Sequence, residues 1–153
     1  MGLEGVDAST GGDEGGDVAQ SLRLFGVALA AFVVLDGLWL GVIMRRFYRT
    51  QLTPIARLSG GSLAPIWPTA ALVYVLLAVG VVAFAVPRAA GVASGGAMWG
   101  ALLGVVMYGF YNLTNYSTLA RWTMTMTIVD TAWGAFACGA AAAVVTMSDS
   151  WLR

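Results

Sequence analysis

Two carboxylates stand inside long apolar runs of this chain, Asp36 and Asp130, and each is followed three residues later by a tryptophan, Trp39 and Trp133. An acid in a bilayer span costs about 2.5 to 3.5 kcal/mol on insertion scales, so both should face a protein interior and find partners. Three-residue spacing on a helix places each indole on its carboxylate's face, as an aromatic wall beside a polar pocket or as packing and interfacial anchoring. If the acids approach one another, repulsion and desolvation favour a shared proton. The chemistry open to such a pair is a proton relay, a general acid and base, or a hydrogen-bonded clasp between helices. The donors are aromatic and amide side chains: Tyr108, Asn112 and Asn115 at i, i+4 and i+7 form one helical stripe, and Tyr74 lies seven residues after Trp67.

The elements that must carry these residues are apolar helices. The chain has 153 residues, 59% hydrophobic and 10% charged, against about 25% charged in soluble domains. Apolar runs cover residues 22–44, 67–86, 97–117 and 122–147, each close to the roughly 20 residues that cross a hydrocarbon core. Pro65 and Pro68 flank the start of the second run, and Pro87 with Arg88 stops it. The expectation is an all-α, polytopic membrane protein: a bundle of four transmembrane helices over residues 21–148. Before it, residues 1–20 hold five acids and six glycines, a composition with too little apolar surface to offset ordering and so expected to be disordered. The first apolar run lacks the layout of a removable signal and is expected to stay in the mature chain.

Asp36 lies nine residues before Arg45 and Asp130 nine residues after Arg121. The first and last spans run in opposite directions, which sets both acids at one depth, roughly 13 Å in at 1.5 Å per residue. Tyr74, Tyr108, Asn112 and Asn115 fall in the same half of the bilayer, giving a polar layer fed by all four spans. Gly96, Gly100 and Gly104 recur every four residues on the third span, and Ala135, Gly139 and Ala143 on the fourth. Such stripes allow close approach of helices, either within the monomer or between two copies. Arg45, Arg46, Arg49, Arg57 and Arg121 lie on one side, against Arg23, Arg88 and Arg153 on the other. That bias puts the first group in the cytoplasm and both termini outside, in a multi-pass protein of the plasma membrane.

Composition excludes much chemistry. The chain has no His and no Lys, and Cys138 is alone, so His-dependent nucleophile systems, Schiff bases, His-ligated zinc and thiol pairs lack their residues. No cofactor, no metal and no nucleic-acid partner is expected; two aspartates with amide support suit neither transition metals nor hard cations.

The ordered set Asp36-x-x-Trp39-Leu40-Gly41, Phe47-Tyr48-Arg49, Tyr111-Asn112-Leu113-Thr114-Asn115 and Asp130-x-x-Trp133-Gly134 resembles the domain of unknown function 2177 family over about residues 22–145. The resemblance implies a four-helix membrane protein with no established reaction, and an Asp and a Pro where this chain has Asn112 and Thr123. The leading expectation is a non-enzymatic component that binds a lipid or a membrane partner through the Asp36, Tyr74, Tyr108, Asn112, Asn115 and Asp130 cluster. The alternatives are a lipid-modifying enzyme with Asp36 and Asp130 as acid and base, and a small oligomeric transporter or proton pathway. The three basic residues Arg45, Arg46 and Arg49 can meet anionic headgroups or simply set topology.

Overall fold

The computed structural model describes residues 11–152. Four of its helices are long and apolar enough to cross a membrane: Gly15–Ile43, Trp67–Arg88, Ala93–Thr118 and Met124–Trp151. Helix α1 (Gly11–Leu38) continues through a π-turn, Trp39–Ile43, and a short helix α2 (Arg45–Leu52) follows. A two-stranded hairpin, β1 (Leu58–Ser59) and β2 (Ser62–Leu63), leads to α3 (Trp67–Gly80), which runs on through a second π-turn, Val81–Ala85. Helices α4 (Ala93–Thr118) and α5 (Met124–Leu152) complete the chain.

Several boundaries differ from those expected, each for a local reason. Helix α1 is already present at Gly11, the first described residue, and not only from near residue 22, so residues 11–20 of the expected tail are helical; residues 1–10 lie outside the described residues. Helix α1 therefore extends ahead of the apolar run that begins at Leu22. The Gln20 amide also donates to Asp149 Oδ1 and ties this stretch to α5. Helix α4 begins at Ala93, four residues before the apolar run at 97–117, just after the turn at Ala90 (φ 52°) and Gly91 (φ 72°). Between the first two spans the sequence suggested only a loop; α2 and the hairpin occupy it. Gly60 and Gly61 have φ of 57° and 75°, the double left-handed turn that joins two strands tightly.

The core combines small side chains, mostly alanine, with a few large ones such as Phe32. Ala28 and Phe32 of α1, Ala78 and Val81 of α3, and Ala137, Cys138, Ala141 and Ala142 of α5 are fully buried, whereas Val34, Leu72, Phe110, Leu113, Ile128 and Phe136 are exposed on the outer faces. Large apolar residues outside and alanines inside suit a hydrocarbon surround, where close packing replaces the hydrophobic effect between helices. The tightest contact is α4 on α5. A Cβ added at Gly96 would stand 2.8 Å from Ala142 O, at Gly100 2.3 Å from Cys138 O, and at Gly104 2.1 Å from Gly134 O. The glycine stripe of α4 is therefore covered by α5 of the same chain.

Candidate functional site: a carboxylate layer between α1 and α5

The π-turn at Trp39–Ile43 begins one turn after Asp36 and reorients the chain before α2. π-turns are rare and frequent at functional positions. Here Trp39 stacks on Trp133 of α5 with ring centroids 4.3 Å apart and planes within 1° of parallel. The Trp133 Nε1 donates to Asp36 Oδ1 at 2.7 Å, so the indole of one Asp-x-x-Trp element binds the carboxylate of the other. The reciprocal bond runs through an intermediary: Trp39 Nε1 donates to the Tyr48 hydroxyl at 3.2 Å, which donates to Asp130 Oδ1 at 2.7 Å. Asn112 Nδ2 donates to Asp130 Oδ2 at 2.7 Å and to Tyr108 O at 2.9 Å. Asp36, Asn112 and Asp130 are all buried.

Of the residues expected in this layer, Asp36, Asp130, Trp39, Trp133 and Asn112 come together in these bonds. The Tyr74 hydroxyl faces Asp36 from α3. Tyr108 contributes its ring and packs so closely on Gly134 that a Cβ there would lie 2.1 Å from Tyr108 Cγ. Asn115 stands apart from the carboxylates and pairs with Tyr111, because at the end of α4 it has turned away from the α5 face that buries Asn112. Gly96, Gly100 and Gly104 lie along the α4–α5 seam and press the two helices together, rather than entering the layer.

The residue that sequence reasoning did not place in the layer is Tyr48. It sits on α2, 5% exposed, in a small cluster with Trp122 and Met126. Its signal was present: Tyr48 and Leu52 share one face of an eight-residue helix whose other residues include Arg45, Arg46 and Arg49. Burial, and next the charge of Asp130, push the Tyr48 phenol above its ordinary range, so it remains a donor at physiological pH. Thr123 fixes α2 against the start of α5: its Oγ1 accepts from Met126 N–H at 3.1 Å and donates to Gln51 Oε1 at 2.8 Å, an N-cap shared between two elements.

Tyr48→Phe should lower the unfolding free energy in detergent by about 1 kcal/mol or more, since Asp130 Oδ1 and the Trp39 indole both lose a partner. Thermal unfolding of the purified protein measures this, and an unchanged midpoint would mean that the relay from Trp39 to Asp130 contributes no stability. Among the described residues three buried polar atoms have no partner: Asn112 Oδ1, Trp122 Nε1 and Thr131 Oγ1. The first leaves one open acceptor beside Asp130.

Outside the tryptophan stack, α1 and α5 leave an apolar groove of about 690 Å³, walled by Leu35, Leu38, Ile43, Val129, Ala132 and Phe136. Trp39 and Trp133 also line it, whereas Asp36 and Asp130 do not. A family model described as a predicted membrane protein (DUF2177) matches residues 21–147. No curated protein and no solved structure matches the chain.

Proposed function

The chain belongs to that family and is an integral membrane protein, and from this premise we propose that it is a non-enzymatic lipid-binding component in which the carboxylate layer is a clasp and the α1–α5 groove receives an acyl chain. The observation that carries the reading is the Trp39–Trp133 stack: both rings line the groove, the Trp133 indole N–H binds Asp36, and the Trp39 indole N–H reaches Asp130 through the Tyr48 hydroxyl. A volume of about 690 Å³ falls within the roughly 300–1,000 Å³ of small-ligand sites, and its lining is aliphatic and aromatic, as a hydrocarbon chain requires.

The clasp reading is supported by the donors. Asp36 Oδ1 and both oxygens of Asp130 accept from neutral side chains, and the stacked aromatic pair lines the groove whereas the acids do not. A general acid or base needs hydrogen-bond reach to its substrate, and a ligand lying in the groove meets indole faces first. The polar layer instead fixes the angle between α1 and α5 and so keeps the groove open.

The protein sits in the plasma membrane in this reading, with α2 and the α4–α5 turn on the cytoplasmic side and both termini outside, as the arginine bias favours. Ala132→Trp would fill the groove from its exposed wall. Native mass spectrometry of the purified variant should show loss of the lipid that wild type retains through detergent exchange, at an unchanged unfolding midpoint. Equal retention by the two proteins would overturn the groove as the binding site.

A further inference from the structure

Past the π-turn, α2 and the hairpin line a second cleft of about 290 Å³. Arg45 and Arg49, one helical turn apart, line it from α2, Ser62 lines it from β2, and Leu40 and Leu63 supply apolar walls. Arg49 Nη2 donates to Gly61 O at 3.4 Å and draws the hairpin toward the helix; a guanidinium has further N–H donors to offer. Tyr48 contributes only its ring, because its hydroxyl is taken by Asp130. Among the described residues no carboxylate lines the cleft and none pairs with Arg45 or Arg49. Arg46, between them in sequence, is exposed and lies outside the lining.

We infer that this cleft binds the phosphate of an anionic phospholipid from the leaflet against which α2 lies. The inference rests on the acyl-groove reading and names the ligand's class. Its depth is right: α2 begins two residues after the candidate span ends at Ile43, the level at which headgroups lie. Its chemistry suits a phosphate: Arg45, Arg49 and Ser62 line one cleft that, among the described residues, no carboxylate lines. The path to the groove is short, since Met44 lines the groove and Arg45 the cleft. A zwitterionic headgroup would bring a cation into a space that holds two already, so the cleft selects net negative lipids.

The test uses the full-length protein in detergent, titrated with short-chain phosphatidylglycerol, short-chain phosphatidylcholine or inorganic phosphate, with the unfolding midpoint and native mass spectra as readouts. Phosphatidylglycerol should bind more tightly than phosphatidylcholine, and phosphate alone should leave the midpoint unmoved. Arg45→Gln/Arg49→Gln should weaken phosphatidylglycerol binding by about 30-fold, the loss of two charged contacts at an anionic surface. Arg46→Gln/Arg57→Gln removes the same charge outside the cleft and should retain the preference. Equal weakening by the two double variants would overturn the inference, because net charge alone would then explain it; so would a shift of equal size with inorganic phosphate. Failure of the groove reads differently: Ala132→Trp would keep its lipid while the loss specific to Arg45→Gln/Arg49→Gln persisted.

Discussion

Gly104→Ala is expected to be among the most damaging single-methyl changes in the chain. The added Cβ would lie 2.1 Å from Gly134 O and 2.6 Å from Gly134 C, both backbone atoms, so α4 and α5 must separate to admit it. Overpacking of this kind costs about 1 to 3 kcal/mol and often more where backbone must shift. Gly109→Ala on the same helix is the matched comparison: its Cβ would meet only Thr131 Cγ2, at 3.7 Å, an ordinary contact. The helical preference of Ala over Gly, about 1 kcal/mol, then acts unopposed. Unfolding in detergent should therefore show a fall for Gly104→Ala and no change or a small rise for Gly109→Ala. Similar midpoints for the two variants would mean that the α4–α5 seam is looser than the glycine stripe implies.

Asp130→Ala should cost still more. It leaves the buried Tyr48 hydroxyl and the Asn112 amide without the acceptors they share, at about 1 to 3 kcal/mol for each unpaired group. Asp130→Asn is milder, because one side-chain oxygen remains for Tyr48. Asn112 can also answer by turning its amide, since its Oδ1 is unpartnered in the wild-type packing, at the expense of its bond to Tyr108 O. The order of stabilities, wild type above Asp130→Asn above Asp130→Ala, is measurable by unfolding in detergent. Retained lipid should follow the same order if the acids clasp the helices. A variant Asp130→Asn that is as stable as wild type yet loses all lipid-dependent behaviour would instead assign the carboxylate a chemical task.

How much of this could be read from the residues depends on the length scale of the cause. Four spans were legible because an uncharged run of some 20 residues leaves the backbone few other places to satisfy its hydrogen bonds. Counting inward to Asp36 and Asp130 from an arginine brought the two acids together as candidates for one layer. Their exchange of indole partners did not follow, since it depends on the relative rotation of α1 and α5, which the Ala137, Ala141 and Ala142 packing sets. Tyr48 was hidden by its neighbourhood: a segment with three arginines reads as a loop until the π-turn at Trp39–Ile43 brings one of its faces back to α5. The glycines and acids of residues 11–20 point to a disordered tail, whereas the fold makes this stretch helical and ties it to α5 by the Gln20–Asp149 bond. Asn112 and Asn115 share a stripe in sequence, but only the first sits where α5 covers α4.

The central claim, a lipid chain lying against the Trp39–Trp133 stack, is tested most directly by photocrosslinking. An anionic phospholipid with a diazirine in mid-chain would be incorporated into vesicles with the full-length protein, irradiated, and the adducts mapped by peptide mass spectrometry. The account predicts adducts concentrated at Leu35, Val129, Ala132 and Phe136, and their loss in Ala132→Trp. Adducts distributed evenly over outer-face residues such as Leu72, Val73, Phe110 and Leu113, with no excess at the groove, would contradict it.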